Sequence, residues 1–360
     1  MTISPERPHL LPAWPSAQAP VILRGDIRCS MDDFVVTENT GIEPEGQGEH
    51  LWLRLRKTGL STPEMCKLLS RLSGVRDRDI SYAGLKDKHA VTEQWISLIW
   101  PIKQEPDWLA QLPAEIELLA HIRHSRKLRK GALRGNRFQL VIRHIACVDP
   151  DAVLERIAHI RRAGFPNYFA EQRFGRDGAN VSKAKAMFNR SMTVRDRFRR
   201  GMFLSAARSW IFNNLLAERV RRGDWDRVID GDVCQLHGSR AWFVAEAGDA
   251  DIPRRVKEGD IHPTGPLWGD GDPSSKGEAL GLESAIARLD VDLMAGLAAA
   301  RVDHDRRALR VIPEDLHGEW LDDGSLRLEF GLPAGAYATA LLRELGAVQF
   351  AGGPATEVDD

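Results

Sequence analysis

Paired cysteines, long apolar runs and nucleotide-binding loops are all missing from this 360-residue chain, and each gap removes a class of protein. The four cysteines, Cys29, Cys66, Cys147 and Cys234, form no CxxC pair and have no histidine at ligand spacing. Neither a disulfide framework nor a zinc site is therefore indicated, and a reducing cytoplasm is the expected location. No stretch of about 18 apolar residues is available to span a bilayer. Prolines interrupt MTISPERPHLLPAWPSAQAP where a secretory signal needs a continuous apolar core, so neither export nor membrane anchoring is expected. There is also no GxxxxGK[ST] loop, no GxGxxG after a strand, no HExxH and no GxSxG. The glycine-rich pieces QRFGRDGAN and PLWGDGDP lack the spacing that cradles a phosphate.

What remains is an ordinary globular composition, 43% apolar and 28% charged. The length suits about two domains. The net charge of -1 hides a strong asymmetry. HIRHSRKLRKGALRGNRFQLVIRH, His121 to His144, holds eight arginines or lysines, three histidines and no acid. NRSMTVRDRFRR, Asn189 to Arg200, holds five arginines against one aspartate. One such run fits a solvated charged face; two together favour a phosphate backbone, because each neutralised phosphate releases condensed counterions.

Periodicity gives a coarse map. DFVVTE, Asp33 to Glu38, predicts a strand with Phe34, Val36 and Glu38 on one face, joined through GIEPEGQG to a second strand, LWLRLRK. Ser61 and Glu64 have capping-box spacing, Pro63 suits a first helical turn and Gly74 a helix end. DISYAGL and QWISLIW predict further strands on either side of the sequence LKDKHA. Helices are predicted over DPDAVLERIAHIRRAG and FLSAARSWIFNNLLAERVRRG, irregular loops between Ala245 and Gly281, a hairpin turning at Asp323-Gly324, and a helix near the end of LPAGAYATALLRELG. Strands first, helices in the middle and strands again late describe an α+β fold, with the middle inserted into a bipartite domain.

Asp87 stands out among candidate chemical groups. It sits between Lys86 and Lys88, with Gly84-Leu85 ahead of the three and His89 after them. A turn aspartate between solvating lysines has this appearance, and so does a nucleophilic carboxylate kept ionised by a neighbouring cation. At most one of the two lysines can face it from an extended chain. His89, His121 and His124 have no fixed spacing to carboxylates, so no metal is expected.

SYAGLKDKHAVTEQW closely resembles the signature of the TruD family of tRNA pseudouridine synthases. The resemblance continues through DFVVTENTGIEPEGQGEHLWLRLRKTGLST, HSRKLRKGALRGNRF, PNYFAEQRFGRDGAN, RRGMFLSAARS and FGLPAGAYATALLREL, in family order. It implies an α+β fold: a bipartite pseudouridine-synthase catalytic domain with a mixed, mostly antiparallel sheet, over 1–161 and 305–360, and an inserted α/β TRUD domain over 162–304. It implies isomerisation of uridine to pseudouridine at position 13 of tRNA, with no cofactor and no metal. Asp87 matches the nucleophile, attacking ribose C1′ or pyrimidine C6. Phe34, Asn136 and Phe330 match substrate-contacting positions, although strand spacing alone reads the two phenylalanines as core. Phe138 is expected to pack against the base, Lys86 to orient or ionise Asp87 with Arg343 as the rival, and Arg126, Lys127, Arg129, Lys130 and Arg134 to follow the RNA backbone. The expected partner is tRNA, with no membrane, no obligate protein partner and a monomeric state. A non-catalytic RNA-binding protein or chaperone on the same fold is the alternative, and a carboxylate-dependent nucleotide hydrolase a weaker one.

Overall fold

The computed structural model describes residues 11–246 and 248–351, which divide into two compact units. One unit holds Ile22–Arg161, Pro313–Gly335 and the described residues from Gly346 on. The other holds Arg162–Ile312, Ala336–Leu345 and the described residues up to Val21. The second unit thus joins a long central stretch to an N-terminal segment and one late helix.

The first unit is built on a ten-stranded sheet. Its strands are β1 (Leu23–Ile27), β2 (Phe34–Asn39), β3 (His50–Thr58), β4 (Ser81–Tyr82), β5 (Val91–Ile99), β6 (Ile116–His124), β7 (Gly135–Cys147), β8 (Glu314–Trp320), β9 (Leu326–Pro333) and β10 (Ala347–Phe350). The main order is β8-β9-β7-β2-β5-β3-β6, with β1 pairing β7 and β10, and β4 pairing β5. Only β2–β5 and β1–β10 run parallel, so the sheet is mixed and mostly antiparallel. β2 and β3 are not the paired neighbours that their short connection suggests, because β5 lies between them. β8 and β9 form the hairpin expected around Asp323-Gly324.

Two helices cover this sheet, α1 (Thr62–Ser73) and α2 (Pro150–Ala163). α1 starts where its capping chemistry dictates. The Ser61 hydroxyl accepts from the Glu64 N–H, the Glu64 carboxylate accepts from the Ser61 N–H, and Gly74 closes the helix at φ 73°. Its apolar side, Met65, Cys66 and Leu69, packs on Leu51, Leu53 and Leu55 of β3 and on Ile96 and Leu98 of β5. At the other end of the sheet, Ile157 of α2 packs so closely over Gly318 of β8 that a Cβ there would lie 2.5 Å from it.

The second unit is mainly helical around one 26-residue helix, Arg197–Arg222, capped by Asp196 and ended by Gly223. Its four-stranded antiparallel sheet runs in the order Trp242–Val244, Val233–Leu236, Ile261–Leu267, Asp305–Ala308. The region from 245 to 281 is therefore not irregular: it contains the helix Asp251–Glu258 and the strand Ile261–Leu267, buried nearly throughout. Its glycines and prolines serve close packing. A Cβ on Gly265 would come within about 3 Å of Leu215 and Leu309 side chains. Among the described residues no helix is long and apolar enough to cross a membrane.

Candidate active site

One face of the sheet carries the site. Residues paired directly across strands point to the same side, and the register sets Phe34, Val36 and Glu38 of β2 opposite Leu140, Phe138 and Asn136 of β7. Phe330 of β9 is in turn opposite Phe138, and Leu332 opposite Asn136. Phe34, Asn136, Phe138 and Phe330, dispersed in sequence, therefore share one surface. Phe138 and Phe330 stack at 5.3 Å between ring centroids, and Phe34 meets Phe138 edge-on at 6.3 Å. Phe330 is fully buried and Phe34 nearly so, whereas Phe138 keeps 9% of its surface exposed. The side-chain oxygen of Asn136 is buried without a hydrogen-bond partner. A buried acceptor left in this state costs about 1–3 kcal/mol, so an incoming N–H donor has a place to bind.

Asp87 lies in the loop between β4 and β5, with 37% of its side chain exposed. Its partner is Arg28, whose Nη2 donates to the carboxylate at 2.6 Å. The Arg28 guanidinium also lies 3.9 Å from the centre of the Phe34 ring and 5.0 Å from that of Phe350. It is thus held between the aromatic surface and the acid by cation–π contact and a charge-assisted hydrogen bond. Arg28 follows β1 directly and adopts φ 59°, a conformation rare for a side-chain-bearing residue.

The expected Lys86–Asp87 pair does not form. Lys86 turns inward instead, and its ammonium sits 2.9 Å from the Glu38 carboxylate, both side chains almost completely buried. The alternation of the chain decides this: with Lys86 directed at the acid that β2 places on the sheet face, Asp87 projects outward. Arg343, the rival partner, belongs to the helix Ala338–Leu345 of the other unit, where it lies 3.7 Å from Glu171 and 5.5 Å from the Tyr168 ring centre. Sequence reading missed Arg28 because nothing in IRCSMDD distinguishes it from other surface arginines.

The loop itself is anchored on several sides. The Lys86 N–H donates to the Thr62 hydroxyl at 2.9 Å, and that hydroxyl donates to the Gln94 side chain. Lys88 binds Glu64 at 2.8 Å. That bond, with the Ser61 N–H and hydroxyl behind it, holds the Glu64 carboxyl down to about 2. From beneath, the Lys57 ammonium donates to the Asp87 carbonyl at 2.9 Å.

The basic loop between β6 and β7 lies against the same region. Leu128 is buried with Trp52 and Ala83, and the Gly131 N–H donates to the Ala83 carbonyl at 2.8 Å. Ala83 begins the stretch leading to Asp87. Around the Leu128 anchor, Arg126, Lys127, Arg129, Lys130 and Arg134 are all exposed. Replacing Lys127 and Lys130 together by Gln should weaken binding of any nucleic acid laid along this loop. It should also flatten the slope of log affinity against log salt by about one for each phosphate no longer neutralised, measured by filter binding at several salt concentrations.

Among the described residues, one group of His, Cys and carboxylate side chains comes close enough to share a cation: Asp26, Cys29 and His144, with candidate atoms within 4.8 Å of one another. Within it, His144 and Asp26 are hydrogen-bonded to each other at 2.9 Å.

Comparison with known proteins finds relatives that match most of the chain. The family model described as tRNA pseudouridine synthase D (TruD) matches residues 21–183 and 179–345. The tRNA pseudouridine synthase D of Methylococcus capsulatus is 46% identical over 331 residues, covering 92% of this chain and 93% of that protein. The protein of the same name from Xanthomonas euvesicatoria is 43% identical over 353 residues, covering 94% and 95%. A solved structure from Methanosarcina mazei, titled for the same synthase, matches with a TM-score of 0.71 at 22% identity, covering 92% of this chain and 95% of that one, a likeness of fold.

Proposed function

This chain belongs to the TruD family of tRNA pseudouridine synthases, and from that premise we propose that it isomerises uridine to pseudouridine at position 13 of tRNA with Asp87 as the nucleophile. The observation that carries the reading is the Arg28–Asp87 pair above an aromatic surface beside an acceptor with no partner.

A uridine must leave its stack to meet a carboxylate on a protein surface. In this reading the flipped uracil rests against Phe138, which Phe330 supports from beneath, and its N3–H donates to the Asn136 side-chain oxygen. Arg28 orients one Asp87 oxygen and leaves the other to attack C1′ or C6. The N1–C1′ bond breaks, the base turns, the C5–C1′ bond forms as the bond to Asp87 is released, and the C5 proton departs to solvent while N1 takes one up. Atoms and oxidation state are the same in substrate and product, so the reaction calls for neither cofactor nor metal. The exposed loop Arg126–Arg134 supplies charge for the tRNA backbone. We take the protein to act as a cytoplasmic monomer with tRNA as its partner.

Primer extension after carbodiimide treatment tests the position: tRNA transcripts incubated with the protein should gain one stop, at position 13, and stops elsewhere would refute that assignment. Asn136→Ala should lower kcat/KM by about 10- to 100-fold, the value of one buried hydrogen bond to the base. A rate unchanged by that substitution would remove Asn136 from the site.

A further inference from the structure

We propose that Lys57 is a positioning residue for this reaction: its buried ammonium fixes the backbone of the nucleophile's own residue and adds a positive charge beneath the Asp87 loop. The inference rests on the assignment of Asp87 made above.

Lys57 is the last inward-facing residue of β3 and is fully buried. Lysine is almost never in that position without a carboxylate beside its nitrogen. Here the ammonium donates instead to two main-chain carbonyls, those of Leu60 and Asp87. Leu60 immediately precedes the cap of α1, so one side chain ties the helix start, the strand and the catalytic loop together. An isolated buried cation carries a heavy desolvation penalty, which a neutral side chain of similar length would avoid. The arrangement is explained if the charge is needed where it lies.

The charged groups facing Lys57 are few. Asp87 and Lys86 come from the loop and Glu64 from α1, while its cross-strand neighbours, Thr92 of β5 and Ile116 of β6, are neutral. Burial pushes the ammonium down to about 8, with the Asp87 and Glu64 carboxylates working against that shift and Lys86 reinforcing it. Lys57 is therefore charged at neutral pH and loses its proton as pH rises through that value. The neutral amine still has two N–H groups for the two carbonyls, so what disappears first is the charge and not the tether. Folding linkage runs the other way. Because the folded state binds this proton less tightly than the unfolded chain, the Lys57 contribution to stability rises with pH from about 8 to the ordinary lysine value. A rate that falls across this window is not a sign of unfolding caused by Lys57.

Single-turnover rates on tRNA between pH 6 and 10, with Tm recorded for each variant, test the role. In the wild type the rate should fall above about pH 8. Lys57→Met should be slower by about 10²-fold below pH 8, the effect expected of a displaced nucleophile, with its KM for tRNA little changed and the alkaline limb gone, so that the gap narrows as pH rises. Lys57→Arg, which keeps a charge and two donors, should recover part of the rate and carry it to higher pH. A Lys57→Met protein with wild-type rate, or a slow one with the same alkaline limb, overturns the proposal. Should Lys57→Met not fold, NMR titration of carbon-13-labelled lysine in the wild type and in Asp87→Asn decides instead. One resonance titrating near 8, and lower still in Asp87→Asn, supports the role; a titration indifferent to Asp87 refutes it. Absence of any pseudouridine from wild-type reactions would refute the function itself and leave this NMR test of Lys57 standing.

Discussion

Asp87→Asn should reduce pseudouridine formation by on the order of 10⁴-fold or more, as expected when an enzyme loses its nucleophile, while leaving tRNA binding and Tm essentially unchanged. The substitution removes a charge and almost nothing else. An amide of the same shape can still accept from Arg28. The loop keeps its other ties: Lys86 to Glu38, the Lys86 N–H to Thr62, Lys88 to Glu64, and Lys57 to the main-chain carbonyl of residue 87. The exposed arginines and lysines of the neighbouring loop are untouched. A variant that binds and does not react separates an enzyme from an RNA-binding protein that shares its fold. A variant as active as the wild type would show that the carboxylate is only a turn residue.

Arg28→Met should lower the rate by about 10² to 10³-fold, comparable with loss of one preorganised donor at a reacting group. Methionine can still cover the Phe34 ring, so the substitution isolates the guanidinium from its packing. Arg28→Lys should recover only part of the activity, because an ammonium cannot lie flat on Phe34 and also present a directed N–H to the acid. The double variant Arg28→Met with Asp87→Asn should be no slower than Asp87→Asn alone, since the arginine acts through the aspartate. Additive losses in that cycle, from single-turnover rates, would assign Arg28 a role independent of Asp87.

Local chemistry was readable from the chain where neighbours in sequence are neighbours in space. Ser61, Pro63, Glu64 and Gly74 announce α1 because a helix end is satisfied by residues three or four positions away. Phe34, Val36 and Glu38 announce a buried face because a strand alternates. The strand Ile261–Leu267 was lost to its own composition. Proline and glycine read as loop, yet Ile261–Pro263 pairs with Val233–Leu236 and Thr264–Leu267 with Asp305–Ala308, so neither half bonds on both edges along its length.

The site was legible only in part for the same reason. Asp87 could be singled out from its flanking charges, and the family resemblance brought Phe34, Asn136, Phe138 and Phe330 with it. Which cation faces Asp87 is a long-range fact. Lys86 is adjacent in sequence and points away; Arg28 is 59 residues distant and reaches it because β1, β7 and β2 bring the two loops together. Lys57 was equally invisible, since a lysine at the end of an alternating strand reads as solvent-exposed until the loop above it is built.

The most direct measurement is tritium release from tRNA labelled at C5 of uridine, with free uracil monitored in the same reactions and no metal or nucleotide added. Forming the C5–C1′ bond must expel the C5 hydrogen, so the wild type should release one tritium per modified site with no uracil liberated, and Asp87→Asn should release none. Tritium retained in the presence of bound tRNA, or uracil freed without exchange at C5, would contradict the account.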